Sequence, residues 1–159
     1  MSVFDSAAAH IRSISPYQPG KPISELAREM GLEEAGIVKL ASNENPLGMS
    51  ERAKAAALAA ITEVPRYPDG NGFELKQAVS RHHDLGMNQI VLGNGSNDVL
   101  EMVARALLGL GRSAVYSKHA FAVYPLATLA AGATGIEVPA RDFGCDLDAM
   151  RAAIRDDTR

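Results

Sequence analysis

The chain has 159 residues, of which 47% are apolar and 22% charged, and its formal net charge is −3. That length fits one ordinary domain with a sizeable buried core, and the composition excludes disorder, a collagen-like repeat and a membrane span. A mildly acidic balance gives no electrostatic reason to bind nucleic acid or an anionic bilayer, and a single cysteine, Cys145, excludes both an internal disulfide and a cysteine-built zinc site. The opening residues, Met1-Ser2-Val3-Phe4-Asp5, lack the basic and apolar regions of a secretory signal, so a cytoplasmic location is expected.

The first forty residues read as an irregular arm. Pro16, Pro19, Gly20 and Pro22 punctuate it. A short helix is expected over 23–30, stopped by Gly31. Ile37-Val38-Lys39-Leu40 reads as a strand leading into the turn-rich Ser42-Asn43-Glu44-Asn45-Pro46-Leu47-Gly48. Ser50 is placed to cap a helix through the alanine run to Ile61, with Glu51 in its first turn. Two prolines and two glycines make 64–72 a loop, and a helix over 73–84 follows it.

Ile90-Val91-Leu92 reads as a short strand running into Gly93-Asn94-Gly95-Ser96-Asn97. The next helix, 97–108, is apolar nearly all round, which predicts burial. A strand at 114–116, a helix at 124–131 and a strand at 135–138 come next. Asp146 should cap a last amphipathic helix that runs into a bare polar tail, Arg155-Asp156-Asp157-Thr158-Arg159. Alternation of strands and helices from Ile90 onward predicts an α/β fold, a parallel sheet covered by helices. The unit looks interrupted at its end.

The sharpest local feature is the strand-glycine-helix junction at 92–98. Two glycines permit close backbone approach, Ser96 offers a hydroxyl, and a helix start presents unpaired N–H groups suited to a phosphate dianion. Asp98 stands where the third glycine of a dinucleotide fingerprint would fall, and no Lys-Ser/Thr pair makes it a P-loop. A tight turn capped by Ser96 stands beside the phosphate reading. Further on, Phe121 and Tyr124 follow a strand end, where an aromatic ring could stack on a flat heterocycle. As i,i+3 neighbours they read more readily as core. His82 and His83 are adjacent and point to different faces, His119 has no partner in sequence, and no metal site is expected. Arg151, Arg155 and Arg159 read as one solvated helical side.

In order, Ser15-Pro16-Tyr17, Ser42-Asn43-Glu44-Asn45-Pro46, Arg66-Tyr67-Pro68-Asp69, Gly93-Asn94-Gly95-Ser96-Asn97 and His119-Ala120-Phe121-Ala122-Val123-Tyr124 resemble the N-terminal half of the histidinol-phosphate aminotransferase family. Each motif alone is weak; five in order across nearly the whole chain are specific. The resemblance implies a fold-type-I enzyme that uses pyridoxal 5′-phosphate (PLP) and works as a homodimer in histidine biosynthesis. It implies an N-terminal arm and part of a small domain at 1–42, and at 43–159 the first part of a three-layer PLP-binding large domain. By resemblance, Ser96 and Asn97 hold the cofactor phosphate and Phe121, where many members have tyrosine, stacks on the pyridine ring. Tyr67 would reach the phosphate from the neighbouring subunit, Tyr17 would lie near the substrate phosphate, and Asn43 in the substrate-side loop.

Family members run to well over twice this length, so the chain reads as a fragment. Lys21, Lys39, Lys54, Lys76 and Lys118 are its only lysines, and none lies in the family's Schiff-base motif. No catalytic residue is therefore assigned. The resemblance implies a phosphorylated amino compound and a 2-oxo acid as substrates: histidinol phosphate with 2-oxoglutarate. Two alternatives remain: a related PLP enzyme (an aromatic aminotransferase or an amino-acid phosphate decarboxylase) and a non-catalytic remnant that dimerises or binds phosphate.

Overall fold

The computed structural model describes residues 3–159. It divides into two compact units, one formed by residues up to Pro16 together with Glu74–Arg159, the other by Tyr17–Phe73.

The larger unit is built on a parallel strand pair. Strand β1 (Ser113–Ser117) pairs with β2 (Thr134–Val138), with Ser113 opposite Thr134 and Ser117 opposite Val138. Helices α1 (Ala9–Arg12), α4 (Phe73–His83), α5 (Ser96–Leu107), α6 (Val123–Ala130) and α7 (Leu147–Ala152) belong here, and α2 (Ile23–Met30) and α3 (Glu51–Ala60) to the other unit. Helix α6 makes the crossover between the two strands and packs on both, on α5 and on α1, while α7 packs on β1. A helical crossover between parallel strands is what the alternating pattern predicts. The fold is α/β.

The elements fall where the sequence puts them at α4, α5, α6, β1 and β2, within a residue or two. The tail is different. It is not bare, because Thr158 bridges Ser113 in parallel on the edge of β1 away from β2. The Ser113 amide donates to the Asp157 carbonyl at 3.0 Å and the Arg159 amide to the Ser113 carbonyl at 3.1 Å. Ser113 is fully buried, and its hydroxyl lies 2.9 Å from both Asp157 Oδ1 and Thr158 Oγ1. A buried hydroxyl must be satisfied, and this cluster does so while seating the tail on the sheet. With α7 ending at Ala152, Arg155 and Arg159 lie beyond it, so the three arginines do not share a helical side. Asp146 caps α7 as expected, its Oδ1 accepting from the Ala149 amide at 3.0 Å.

Three other expectations are corrected. The segment 90–92 is extended but joins no ladder among the described residues, and the same holds for 37–40. Helix α5 is not buried all round: Met102, Val103 and Leu107 are exposed and only Ala104 is buried. A helix that is apolar on every side reads as buried only where something covers each side.

In the smaller unit, α2 (Ile23–Met30) ends at Gly31, whose φ of 63° only glycine adopts without strain, and the Leu32 amide returns to the Ala27 carbonyl at 3.0 Å. Lys21 Nζ sits 2.5 Å from Glu29 Oε2, and the hydrogen bond to Glu29 holds the Lys21 pKa above its ordinary value against a smaller desolvation effect. Helix α3 (Glu51–Ala60) forms as predicted, but Ser50 makes no side-chain cap bond. Alanine propensity carries this helix without its cap.

Candidate functional site

The turn before α5 leaves the helix start without a side-chain cap. Gly95 occupies the N-cap position at φ 91° and ψ 169°, a conformation open to glycine and strained for other residues. No side chain caps the helix start, so Ser96 is the first helical residue and not a cap. The tight-turn reading that gave Ser96 the capping role is therefore corrected. Ser96 and Asn97 are both exposed, and a side chain at Gly95 would meet nothing within 4 Å. Open space in front of an uncapped helix start is what a bound anion requires.

Behind that opening the turn is closed. A Cβ at Gly93 would lie 2.9 Å from both Asp98 Cβ and Val99 Cγ2 and 3.2 Å from the Val99 amide nitrogen. Asp98 Oδ2 accepts the Asn94 amide at 2.9 Å. The carboxylate is thus engaged with the loop and fixes its curvature. Sequence reasoning used Asp98 only to reject the dinucleotide fingerprint. Its signal was an acidic residue three positions after Gly95, the spacing at which a first-turn side chain reaches back to the loop.

Phe121 lies in the loop 118–122 between β1 and α6 and is 48% exposed. Tyr124, at 43%, opens the first turn of α6. Neither is buried among the described residues. Among the described residues, Ser96, Asn97 and Phe121 fall in one unit, at the start of α5 and just before α6, two helices that pack on each other. Tyr116, on the neighbouring rung, lays its ring over Gly135; burial pushes its phenol pKa upward, with Glu137 adding to the effect.

Tyr17, Asn43 and Tyr67 belong to the other unit. Tyr17 is half-exposed, and Tyr67 is fully exposed. Asp69 shapes the loop after Tyr67, its carboxylate accepting the Asn71 amide at 3.0 Å and the Phe73 amide at 2.8 Å. Ser42 and Asn43 stand consecutively at φ 73° and 49°, left-handed positions that cost energy for non-glycine residues, serine more than asparagine. Beyond them, Asn45 organises the loop by accepting the Leu47 amide and donating to the Gly48 carbonyl, each at 3.0 Å. Among the described residues no three His, Cys, Asp or Glu side chains gather as a metal site, His82 and His83 contact each other edge-on, and no helix is long and apolar enough to cross a membrane.

The family model for aminotransferase class I and II matches residues 35–159. The chain belongs to the class I and II aminotransferase family. It is 63% identical over 159 residues to histidinol-phosphate aminotransferase 2 of Nitrosospira multiformis, covering 100% of this chain and 41% of that protein. It is 66% identical over 154 residues to histidinol-phosphate aminotransferase 1 of Thiobacillus denitrificans, covering 97% of this chain and 40% of that one. The chain thus spans about two fifths of the length of these curated relatives. Two solved aminotransferases share its fold. A histidinol-phosphate aminotransferase from Sinorhizobium meliloti in complex with pyridoxal-5′-phosphate aligns at TM-score 0.77 and 24% identity, over 96% of this chain and 40% of its own. An Escherichia coli aminotransferase aligns at TM-score 0.72 and 20% identity, over 96% and 41%. The fold is that of part of a fold-type-I aminotransferase large domain.

Proposed function

We propose that this chain serves a PLP-dependent histidinol-phosphate aminotransferase, moving an amino group between histidinol phosphate and 2-oxoglutarate. The observation that carries the reading is 63% identity along all 159 residues to a protein of that name. The turn at 93–98 fits the cofactor's phosphate by its donor set: uncapped first-turn amides, the Ser96 hydroxyl and the Asn97 side chain, with the Asp98 carboxylate engaged by the Asn94 amide.

Bound PLP supplies the electrophilic carbon that takes up the amino group and the ring that takes up the electron pair. This chain's residues position and shield. Ser96 and Asn97 hold the phosphate. Phe121 covers one face of the ring and excludes water there. Tyr67, with its phenol clear of its own unit, reaches the cofactor phosphate of the other subunit in a homodimer. Tyr17 lies by the substrate phosphate, and Asn43 lines the substrate-side loop. None of the five lysines is assigned the bond-forming role.

Expression of the complete gene in a bacterial strain lacking its own enzyme for this step should restore growth without histidine. The purified protein should convert histidinol phosphate only when 2-oxoglutarate and PLP are present. Activity with aromatic amino acids and none with histidinol phosphate would reject the substrate assignment.

Phe121 gives a second test. Stacking contributes about 0.5–1.5 kcal/mol beyond burial, so Phe121→Ala should lose roughly 3- to 10-fold in cofactor affinity. Phe121→Tyr should keep it, because the ring face survives. Equal losses in both variants would remove Phe121 from the cofactor face.

A further inference from the structure

We propose that Lys118 and His119 form a cationic entry at the carboxyl end of β1 that draws in phosphate monoester dianions. That chemistry is shared by the cofactor and the amino substrate, and the inference rests on the function proposed above.

The loop carrying these residues is pinned. The Lys118 amide donates to the Val138 carbonyl at 2.8 Å, and the Ala120 amide to the Ser117 carbonyl at 2.9 Å. His119 sits between these two bonds, so its backbone is held while its side chain and that of Lys118 stay exposed. No acidic residue occurs from Ser113 to Tyr124. Among the described residues neither side chain makes a hydrogen bond or an ion pair. Lys21, Lys39 and Lys54 each lie within 4.0 Å of a glutamate, and Lys76, only partly exposed on α4, is the other lysine with no ion pair among the described residues. The Lys118 charge is therefore not neutralised locally.

Location gives that charge a use. Ligands of open parallel sheets sit beyond the carboxyl ends of the strands, and the loop leads directly to Phe121. Screening confines each charge to about 8 Å at physiological ionic strength, so attraction must come from cations at the entry itself. Lys118 supplies the charge, and the His119 imidazole adds an N–H donor.

The test uses the complete enzyme with Lys118→Ala and His119→Gln combined, and Lys118→Arg as the charge-retaining control. Both side chains are exposed, so the double variant should melt with the wild type. One arm follows PLP uptake by the apoenzyme. At low salt the double variant should associate about 3- to 10-fold more slowly, a difference that high salt abolishes. Lys118→Arg should match the wild type.

The other arm compares kcat/KM for histidinol phosphate and for histidinol, which lacks the phosphate. A similar loss for the phosphorylated substrate alone, with kcat unchanged, assigns the entry to substrate as well as cofactor. Loss in one arm only assigns it to that ligand. Rates within about 1.5-fold of wild type in both arms at low salt would overturn the proposal. A wild type that takes up PLP but does not turn over histidinol phosphate rejects the activity instead, and the uptake arm still decides the role of Lys118.

Discussion

Replacing Ser96 and Asn97 together by alanine in the complete enzyme should raise the dissociation constant for PLP by about two orders of magnitude. In the proposed site each side chain donates to a charged phosphate, and hydrogen bonds to charged groups contribute about 1.5–3 kcal/mol apiece. Losing two at the lower value removes roughly 3 kcal/mol, which is about a hundredfold. Binding should persist, since the first-turn amides of α5 do not depend on either side chain. The apoenzyme should also keep its melting temperature. A lost N-cap costs about 1 kcal/mol, but Gly95 holds that position and neither Ser96 nor Asn97 caps the helix. Equilibrium dialysis and a thermal melt measure the two quantities. Unchanged affinity would reject the phosphate assignment; lowered stability with unchanged affinity would show a structural role for these residues.

The elements that could be read from sequence are those whose signals are local. Helix α2 has a glycine stop, α7 an aspartate cap, β1 the short apolar run Ala114-Val115-Tyr116, and β2 the alternation of Ile136 and Val138 with Gly135 and Glu137; all four form. Segments 37–40 and 90–92 carry comparable apolar runs but join no ladder, because a strand is completed by a partner that no sequence window contains. The same reason explains α5. Its pattern predicts burial on every side, yet burial is supplied by whatever packs against it, and among the described residues Met102, Val103 and Leu107 stay exposed. Caps were legible in type but not in use. Ser50 and Ser96 have the right hydroxyls, while the carboxylate of Asp98, read only as a missing glycine, is what holds the turn.

The candidate site divides along the same line. The turn at 93–98 was legible because glycines at fixed positions before a helix have a mechanical meaning that does not need the rest of the fold. Phe121 is ambiguous, since an aromatic after a strand suits a core more often than a ligand, and its exposure is that of a chain spanning two fifths of its relatives' length. Tyr17, Asn43 and Tyr67 carry no local signal of function and entered through resemblance alone. Their tests therefore require the complete protein.

Residues 1–159 produced alone should show no aminotransferase turnover and form no borohydride-stable bond to PLP. Covalent chemistry on an aldehyde needs an amine held at the reacting carbon. Lys21 and Lys39 are tied to glutamates at 2.5 and 2.9 Å, and Lys54 lies 3.9 Å from Glu51 on an exposed helix face. Lys118 is exposed in its loop, with no contact that would fix its ammonium against a bound ring. Packing gives the second reason. Among the described residues the buried apolar side chains are Ala27, Ala104, Ala133 and Val138, three of them single methyl groups. Such small side chains contribute little hydrophobic stabilisation, whereas the large apolar residues Leu107, Leu110, Val103 and Phe143 remain exposed. This stretch should therefore bind a hydrophobic dye and associate non-specifically. The decisive measurement is to add PLP to the purified stretch, reduce with borohydride, digest and weigh the peptides. A stoichiometric pyridoxyl label on one lysine, with conversion of histidinol phosphate, would overturn the prediction and assign the bond-forming amine within these 159 residues.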